Sequence, residues 1–556
     1  MHAEDAYLFR HGLLRDAAYE LQPKGDRAAL HTLILNIFEE LFPDKLDDFA
    51  LELADHANGA SQAPAHGKRT TSIYTRRELN YLNRAASVSE KNYRMGDCIM
   101  IAERMLKHPA ANAQERVEAH LLKGRTLLHM GRSDECEQSL TKARALAESS
   151  DQPVLLSQAL TQLGNLARAT TRSQEALQFF NEAYEVATSA GMESASAALG
   201  GIAMMKGLVG DLSAAEDAFA SALKREPRAS VRARMLYNLA TTRQTAGRWK
   251  ESEEGLRQAL KLTQECGDRD LEGIVRSGMA ILLKMLGRKP EALLEYRNAT
   301  SLLTASGNLR HLGIVRGNLG EMLSELGELD QAAGELRAAL DIHLETGDLR
   351  FQANVLTSLG SLAATRNRDA EARDYYEQAV TRHRQAGNTR GLGVALHNLA
   401  STEEETGCLD RALELREQAL EMLSSIDDPL RLAFANGAMA ALQCLLGQAD
   451  RVLPAARQAF AVLARSGVPT LTAEYGVMPV LRCELALGNR AAAERMIREL
   501  ESLTNDTPDA GLEQFLAGAR KALSVPHHSL FNGFVFDDLP EPLQRALIAG
   551  HGARVS

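Results

Sequence analysis

Apolar and small residues recur along this chain with a period near forty. An apolar residue followed by a small one appears at Leu163-Gly164, Ile202-Ala203, Leu239-Ala240, Met279-Ala280, Leu319-Gly320, Leu359-Gly360, Leu399-Ala400 and Met439-Ala440. A few residues further on stands a turn residue, and the full set of turns is Gly131, Thr171, Gly210, Gly247, Gly287, Gly327, Asn367, Gly407, Gly447 and Gly488, in steps of 37 to 41. After the turn a second pattern begins, Ala-x3-bulky-x2-Ala: Ala176/Phe180/Ala183, Ala215/Phe219/Ala222, Ala292/Tyr296/Ala299, Ala332/Leu336/Ala339 and Ala372/Tyr376/Ala379. Spacings of four and three put these residues on one helix face. That helix ends at Gly267-Asp268, Gly307-Asn308, Gly347-Asp348 or Gly387-Asn388, where Gly accepts the left-handed conformation that closes a helix. Each unit therefore reads as helix, turn, helix, Gly turn. Pro290 and Pro454 fall near second-helix starts and Pro227 after a helix end, positions that tolerate a missing N–H.

The pattern resembles the tetratricopeptide repeat in a lengthened form of about forty residues, over roughly residues 114–502. The resemblance implies an all-α fold, a right-handed α-solenoid superhelix of helix-turn-helix repeats with a helical N-terminal head, in which the first helices line the concave face. Lys123 at an apolar position, Cys136 and Ser252 in place of Ala, and Arg416 in place of the bulky residue depart from the pattern, and looser packing is expected there.

Before the repeats comes Tyr7-Leu8-Phe9-Arg10-His11-Gly12-Leu13-Leu14-Arg15-Asp16-Ala17-Ala18-Tyr19, followed by Arg27, Leu30-His31 and Leu53-Ala54-Asp55-His56-Ala57. This resembles the linker that follows the ATPase core in bacterial STAND-type signalling ATPases and leads into tetratricopeptide repeats. No G-x-x-x-x-G-K-[ST] phosphate loop occurs in the chain. The resemblance thus implies a regulatory arm whose nucleotide-binding part is on another chain, as a P-loop ATPase subunit. Read from spacing alone, Phe9, Leu13, Leu14 and Tyr19 are helical core positions, and His11, His31 and His56 are capping or buried polar residues rather than metal ligands. Ser61 to Thr71 reads as an exposed loop. The expected organisation is a helical head at 1–75, a degenerate first helical pair at 76–113, about ten repeats at 114–505, and a C-terminal capping helix and tail at 506–556. In that tail, Phe531, Phe534, Val535 and Phe536 read as a cap over the last helix face or as a tethered segment that fills the groove; His527-His528 lacks a third ligand for a metal.

Composition narrows the function. A net charge of −10 excludes a generic basic nucleic-acid binder. Hydrophobic residues at 45% and charged residues at 24% exclude global disorder, and only 5% aromatics favours packed helices over sheets. With no apolar run long enough to span a bilayer and no signal-peptide pattern, a cytoplasmic protein without membrane association is expected. Six cysteines without a C-x-x-C pair are read as reduced packing residues. No catalytic, cofactor or metal motif is present, and Trp249 is assigned to packing.

Binding is therefore sought on exposed first-helix positions. Asn238, Asn318 and Asn398 stand before the Leu of alternate units at eighty-residue intervals, and Asn165 follows a Leu-Gly pair. Carboxamides both donate and accept, so a ladder of them pairs with an extended peptide backbone. The tetratricopeptide resemblance implies the same use. Arg125 and Arg168 mark the early units, and Glu321, Glu325, Glu404 and Glu405 the later ones, although the run Glu403 to Glu405 also reads as a solvated face. The expected function is a non-enzymatic scaffold that binds a protein or peptide segment. The switch arm of a separately encoded ATPase is the alternative, and a receptor for a small molecule or peptide is a third reading.

Overall fold

The computed structural model describes residues 21–62, 68–91, 94–170, 172–190, 196–208, 211–426, 428–465, 469–506, 510–526 and 530–555. Two compact units divide the chain: residues 1–315 with 342–348, and residues 316–341 with 349–556.

In the first unit the head holds α1 (Lys24–Leu41), α2 (Ala50–Ser61), α3 (Lys68–Lys91) and α4 (Met95–Lys107). Helical pairs follow: α5 (Ala113–His129) with α6 (Ser133–Ser149), α7 (Pro153–Ala169) with α8 (Ser173–Ser189), and α9 (Ser196–Leu208) with α10 (Leu212–Arg225). Next come α11 (Ala229–Thr245) with α12 (Trp249–Cys266), and α13 (Arg269–Met285) with α14 (Lys289–Ser306). The division between the units runs through the next pair, α15 (Leu309–Glu325) and α16 (Leu329–Thr346).

The second unit continues with α17 (Leu349–Thr365) and α18 (Asp369–Gln385), α19 (Thr389–Glu405) and α20 (Leu409–Ser424), and α21 (Pro429–Leu445) and α22 (Ala449–Leu463). In the last pair the first helix is broken into α23 (Pro469–Thr472), a π-helical turn (Ala473–Val477) and α24 (Met478–Ala486), and α25 (Arg490–Asp506) is its partner. α26 (Ala510–Ser524), a hairpin of β1 (Leu530–Phe531) and β2 (Phe534–Val535), and α27 (Glu541–Val555) complete the unit. The all-α solenoid is as expected.

The periodic residues do what their chemistry suggests. Gly131, Gly247, Gly287, Gly327, Gly407, Gly447 and Gly488 have φ between 74° and 83°, and Asn367 has φ 55°. Thr171 and Gly210 lie outside the described residues. The Gly–Asx link divides its labour. Gly267 at φ 69° closes α12, and Asp268 then caps α13 by accepting the Leu271 N–H at 3.0 Å. Asn388 does the same for α19, accepting the Gly391 N–H at 3.1 Å. The paired alanines are fully buried, and Phe180, Phe219, Tyr296, Leu336 and Tyr376 fill the space above them.

Two of the departures are satisfied rather than loose. Ser252 donates to the Ala240 carbonyl at 2.8 Å and Cys136 to the Gly124 carbonyl at 3.2 Å, and both are fully buried. The small polar group finds the carbonyl that close helix contact brings near.

Four local readings are corrected. The segment Ser61 to Thr71 is not one loop, because α2 extends to Ser61 and α3 begins at Lys68. The head boundary at 75/76 falls inside α3. Pro454 sits in the interior of α22, beyond its first turn. Cys266 and Cys408 are exposed, whereas the other four cysteines are buried and free. In the head His31 and His56 face one another, Nδ1 to Nδ1 at 2.8 Å, and burial pushes both pKa values down. Phe9, His11, Leu13, Leu14, Tyr19, His527 and His528 lie outside the described residues.

In the tail, α26 packs on α25, while the hairpin and α27 fold back over the last repeats. Asn532 and Gly533 take φ 46° and 83°, the left-handed pair of a tight hairpin turn. The Asn532 amide donates to the Leu445 carbonyl at 2.8 Å. Phe534, Leu543 and Leu547 are buried with Ala440, Cys444, Val452 and Cys483.

Candidate peptide-binding surface

Within each unit the first helices of neighbouring repeats contact one another: α5 with α7, α7 with α9, α9 with α11 and α11 with α13 in the first, α17 with α19 and α21 with α24 in the second. A ligand lying across this layer meets several helices at once. The expected site residues are all on it. In the first unit, Asn165 on α7 is half-buried and donates to the Gln162 carboxamide at 3.4 Å, Arg168 is exposed near the end of α7, and Asn238 on α11 is half-buried. A cleft of about 560 Å³ opens between α5 and α7, lined by Gln114, Glu118, Leu121, Arg125 and Gln158. Within that lining Arg125 is bonded to Glu90 at 2.6 and 3.0 Å.

In the second unit Asn318, Glu321 and Glu325 are on α15 and Asn398 and Glu404 on α19. Asn318 and Asn398 are half-buried, Glu321 and Glu325 exposed. The eighty-residue interval leaves α17 between the two asparagines, so they stand two interhelical spacings apart, roughly 16–20 Å. Ser358 occupies the corresponding position on α17, and its hydroxyl donates to Glu321 at 2.6 Å.

The run Glu403 to Glu405 is split in three. Glu403 is buried and accepts from Arg373 at 2.6 and 3.0 Å, Glu404 is half-buried against Arg416, and Glu405 is exposed. A helix turns successive residues about 100° apart, so a charge run need not share a solvated face.

Arg416 shows what the departure from the repeat pattern does. Only 6% exposed, it donates from Nε to Glu404, from Nη1 to His397 Nδ1 at 2.8 Å, and from Nη2 to Ser401 at 3.3 Å. Since His397 Nδ1 accepts, Nε2 carries the ring proton and faces the Tyr475 hydroxyl at 3.3 Å. The Glu474 carboxyl lies beside the Tyr475 hydroxyl. The chain Glu404–Arg416–His397–Tyr475 thus links the α19–α20 repeat to the last one, across the intervening repeat. Phe434 on α21 packs against it, with ring centroids 4.3 Å from both His397 and Tyr475. Burial and then the Arg416 charge hold His397 well below its usual pKa, so it stays neutral, and burial pushes Glu474 up.

Tyr475 reaches this place because the backbone is broken there. Pro479 has no N–H for the Tyr475 carbonyl and forces the helix into a π-helical turn, closed by Met478 N–H to Ala473 O. The freed Tyr475 carbonyl lies against Gly437, where an added Cβ would stand 1.9 Å from the oxygen. Gly437→Ala is expected to displace the turn and cost about 1–3 kcal/mol; an unchanged urea midpoint would show that the turn adapts freely. Gly437 does not stand out in the sequence, because its partner is on a different helix.

A tetratricopeptide repeat profile matches residues 115–189, 231–305 and 312–385, which leaves His397, Arg416, Phe434 and Tyr475 outside the matched segments. No curated protein matches the chain. Among solved structures it is similar to BtubC (BKLC) from P. vanneervenii, at 20% identity and TM-score 0.35, covering 39% of this chain and 90% of that one. It is also similar to a Rap protein complexed with competence and sporulation factor, at 12% identity and TM-score 0.46, covering 72% of this chain and 99% of the other. Among the described residues no helix is long and apolar enough to cross a membrane, and no group of three or more His, Cys, Asp and Glu is placed to hold a metal ion. Over residues 115–189, 231–305 and 312–385 this chain is built of tetratricopeptide repeats.

Proposed function

We propose that the protein is a non-enzymatic interaction scaffold that holds an extended peptide or protein segment on its first-helix layer. The observation that carries this reading is the row of half-exposed hydrogen-bonding and aromatic groups on successive first helices of the second unit: Asn318, Ser358, Asn398, Phe434 and Tyr475. An extended backbone needs donors and acceptors at intervals, and aromatic faces add contact area at low entropic cost. Asn165, Arg168 and Asn238 are assigned to the first-helix layer of the first unit, and Glu321, Glu325 and Glu404 to that of the second.

A random pool of N-acetylated pentapeptides, captured on the full-length protein and quantified by mass spectrometry, tests the reading. Asn238, Asn318 and Asn398 changed together to Ala, combined with Tyr475→Ala, is expected to reduce retention about tenfold, the loss of one or two net hydrogen bonds and a ring contact. Retention equal to that of the unaltered protein would remove this layer as the site.

One observation favours the second reading, association of the head with a separate P-loop ATPase subunit. α1 exposes Leu30, Leu33, Ile37 and Leu41, an apolar stripe at helical spacing, 46%, 54%, 38% and 67% exposed. Leu33→Lys with Ile37→Lys is expected to abolish co-purification of such an ATPase from native lysate, and its undiminished recovery would count against the head as the contact.

A further inference from the structure

Cys444 on α21 and Cys483 on α24 are both fully buried and belong to one cluster. Their helices are the first helices of successive repeats and pack on one another. The other two buried thiols, Cys98 and Cys136, lie in separate clusters, and Cys266 and Cys408 are exposed. Among the described residues Cys444 and Cys483 are thus the one pair of cysteines that share a buried site.

The tail hairpin covers this site. The Cys444 thiol donates to the Asn532 carbonyl at 3.4 Å, and the Asn532 carboxamide donates to the carbonyl of the next residue, Leu445, at 2.8 Å. Gly533 lies over the carbonyl of Arg482, the residue before Cys483, so closely that a Cβ would stand 2.1 Å from it. One two-residue turn therefore seats on both cysteine positions at once. Phe534 completes the cover, its ring centroid 4.3 Å from the Arg482 guanidinium carbon. The surroundings also divide the two thiols by reactivity. The neighbouring Cys483 and then burial push the Cys444 pKa up, whereas Cys444 pulls that of Cys483 down against its burial, and the Arg482 charge favours the anion at either sulfur. A thiolate-prone sulfur beside a second thiol is the arrangement of an oxidisable pair with its own resolving partner.

We propose that Cys444 and Cys483 are a redox-active pair, closed to a disulfide by a hydroperoxide when the tail hairpin lifts, and that the disulfide in turn loosens the hairpin. The Cys483 thiolate attacks the terminal peroxide oxygen and the O–O bond breaks. An S–O bond forms, and the other oxygen leaves with a proton as water or alcohol. The Cys444 sulfur then attacks the Cys483 sulfur, the S–S bond forms as the S–O bond breaks, and the departing hydroxide takes the Cys444 proton as water. The two thiols are together oxidised by two electrons, and the peroxide is reduced by the same two. The disulfide has no S–H to donate, so the Asn532 carbonyl loses its donor and the hairpin returns less firmly. The inference goes beyond peptide binding and does not depend on it.

Full-length protein carrying Cys266→Ser and Cys408→Ser, so that only the buried thiols remain, tests it. The protein is treated with hydrogen peroxide, unfolded, alkylated and mapped by mass spectrometry. The Cys444–Cys483 linked peptide is expected as the main oxidised species, with Cys98 and Cys136 alkylated. Gly533→Ala sets a Cβ against the Arg482 carbonyl at a residue with φ 83°, and should speed the linkage about tenfold, because the rate follows the fraction of chains with the hairpin lifted. Phe534→Ala takes its place if that variant does not fold, and far-UV circular dichroism and Tm establish folding. Trypsin cleavage after Arg545 on α27 should be about tenfold faster in the oxidised protein than in the reduced one, and peroxide should leave it unchanged in Cys483→Ser. No linkage in a folded hairpin variant overturns the pair. Linkage at one rate in the parent and the hairpin variant overturns the gating, and linkage with unchanged cleavage after Arg545 overturns the loosening.

Discussion

Acidification below pH 6.5 is expected to destabilise the protein steeply. His343, His383 and His397 are 0%, 1% and 4% exposed. Burial lowers the first two from 6.5 to about 4 and the third well below 6.5. A native pKa below the unfolded one means that the unfolded chain binds protons the native chain refuses. The stability these residues confer is complete above pH 6.5 and is lost as pH falls from 6.5 towards 4. Within that window each contributes a slope of about 1.4 kcal/mol per pH unit, so the three together give about 4 kcal/mol per unit. Two of the three are in the second unit, whose unfolding should shift the more. Urea midpoints at pH 7, 6 and 5, followed by far-UV circular dichroism, measure the effect. His383→Asn should flatten the slope, and a midpoint constant from pH 7 to 5 would mean that these rings reach solvent before the unit unfolds.

Arg416→Leu is the second large effect. Leucine fills this position of the repeat at Leu336, so packing alone predicts a neutral or favourable change. The ion pair predicts the opposite. With Arg416 gone, Glu404 keeps a half-buried charge without its partner and His397 Nδ1 loses its donor. Breaking one side of a buried pair costs about 3–5 kcal/mol, and removing both charges costs far less. The double variant Arg416→Leu/Glu404→Gln should therefore recover most of the loss. A single variant as stable as the parent would show that the network contributes nothing to the fold. Peptide retention separates the two roles: the double variant should fold and yet bind less, because His397 and Tyr475 lose the donor that orients them.

Helix positions, the turn glycines, the buried alanine faces and the membership of each expected site residue in the first-helix layer were legible in the residues alone. All of them are set by contacts within one repeat, between residues a few positions apart, and a forty-residue period displays such contacts again and again. Asp268 and Asn388 were visible as part of the Gly turn, but their capping of the next helix requires the backbone N–H direction. Arg416 was legible only as an exception. Its meaning depends on Tyr475 reaching His397 across 78 residues, which happens because Pro479 opens a π-helical turn and Gly437 leaves room for it. The asparagine interval was equally plain, but one helix per repeat places those side chains on alternate helices and not on adjacent ones. The stacking of Arg482 on Phe534 appears only once the tail hairpin has folded back. Local periodicity thus determined the elements and their faces, whereas the stacking of three repeats and a returning tail decided which polar groups are satisfied.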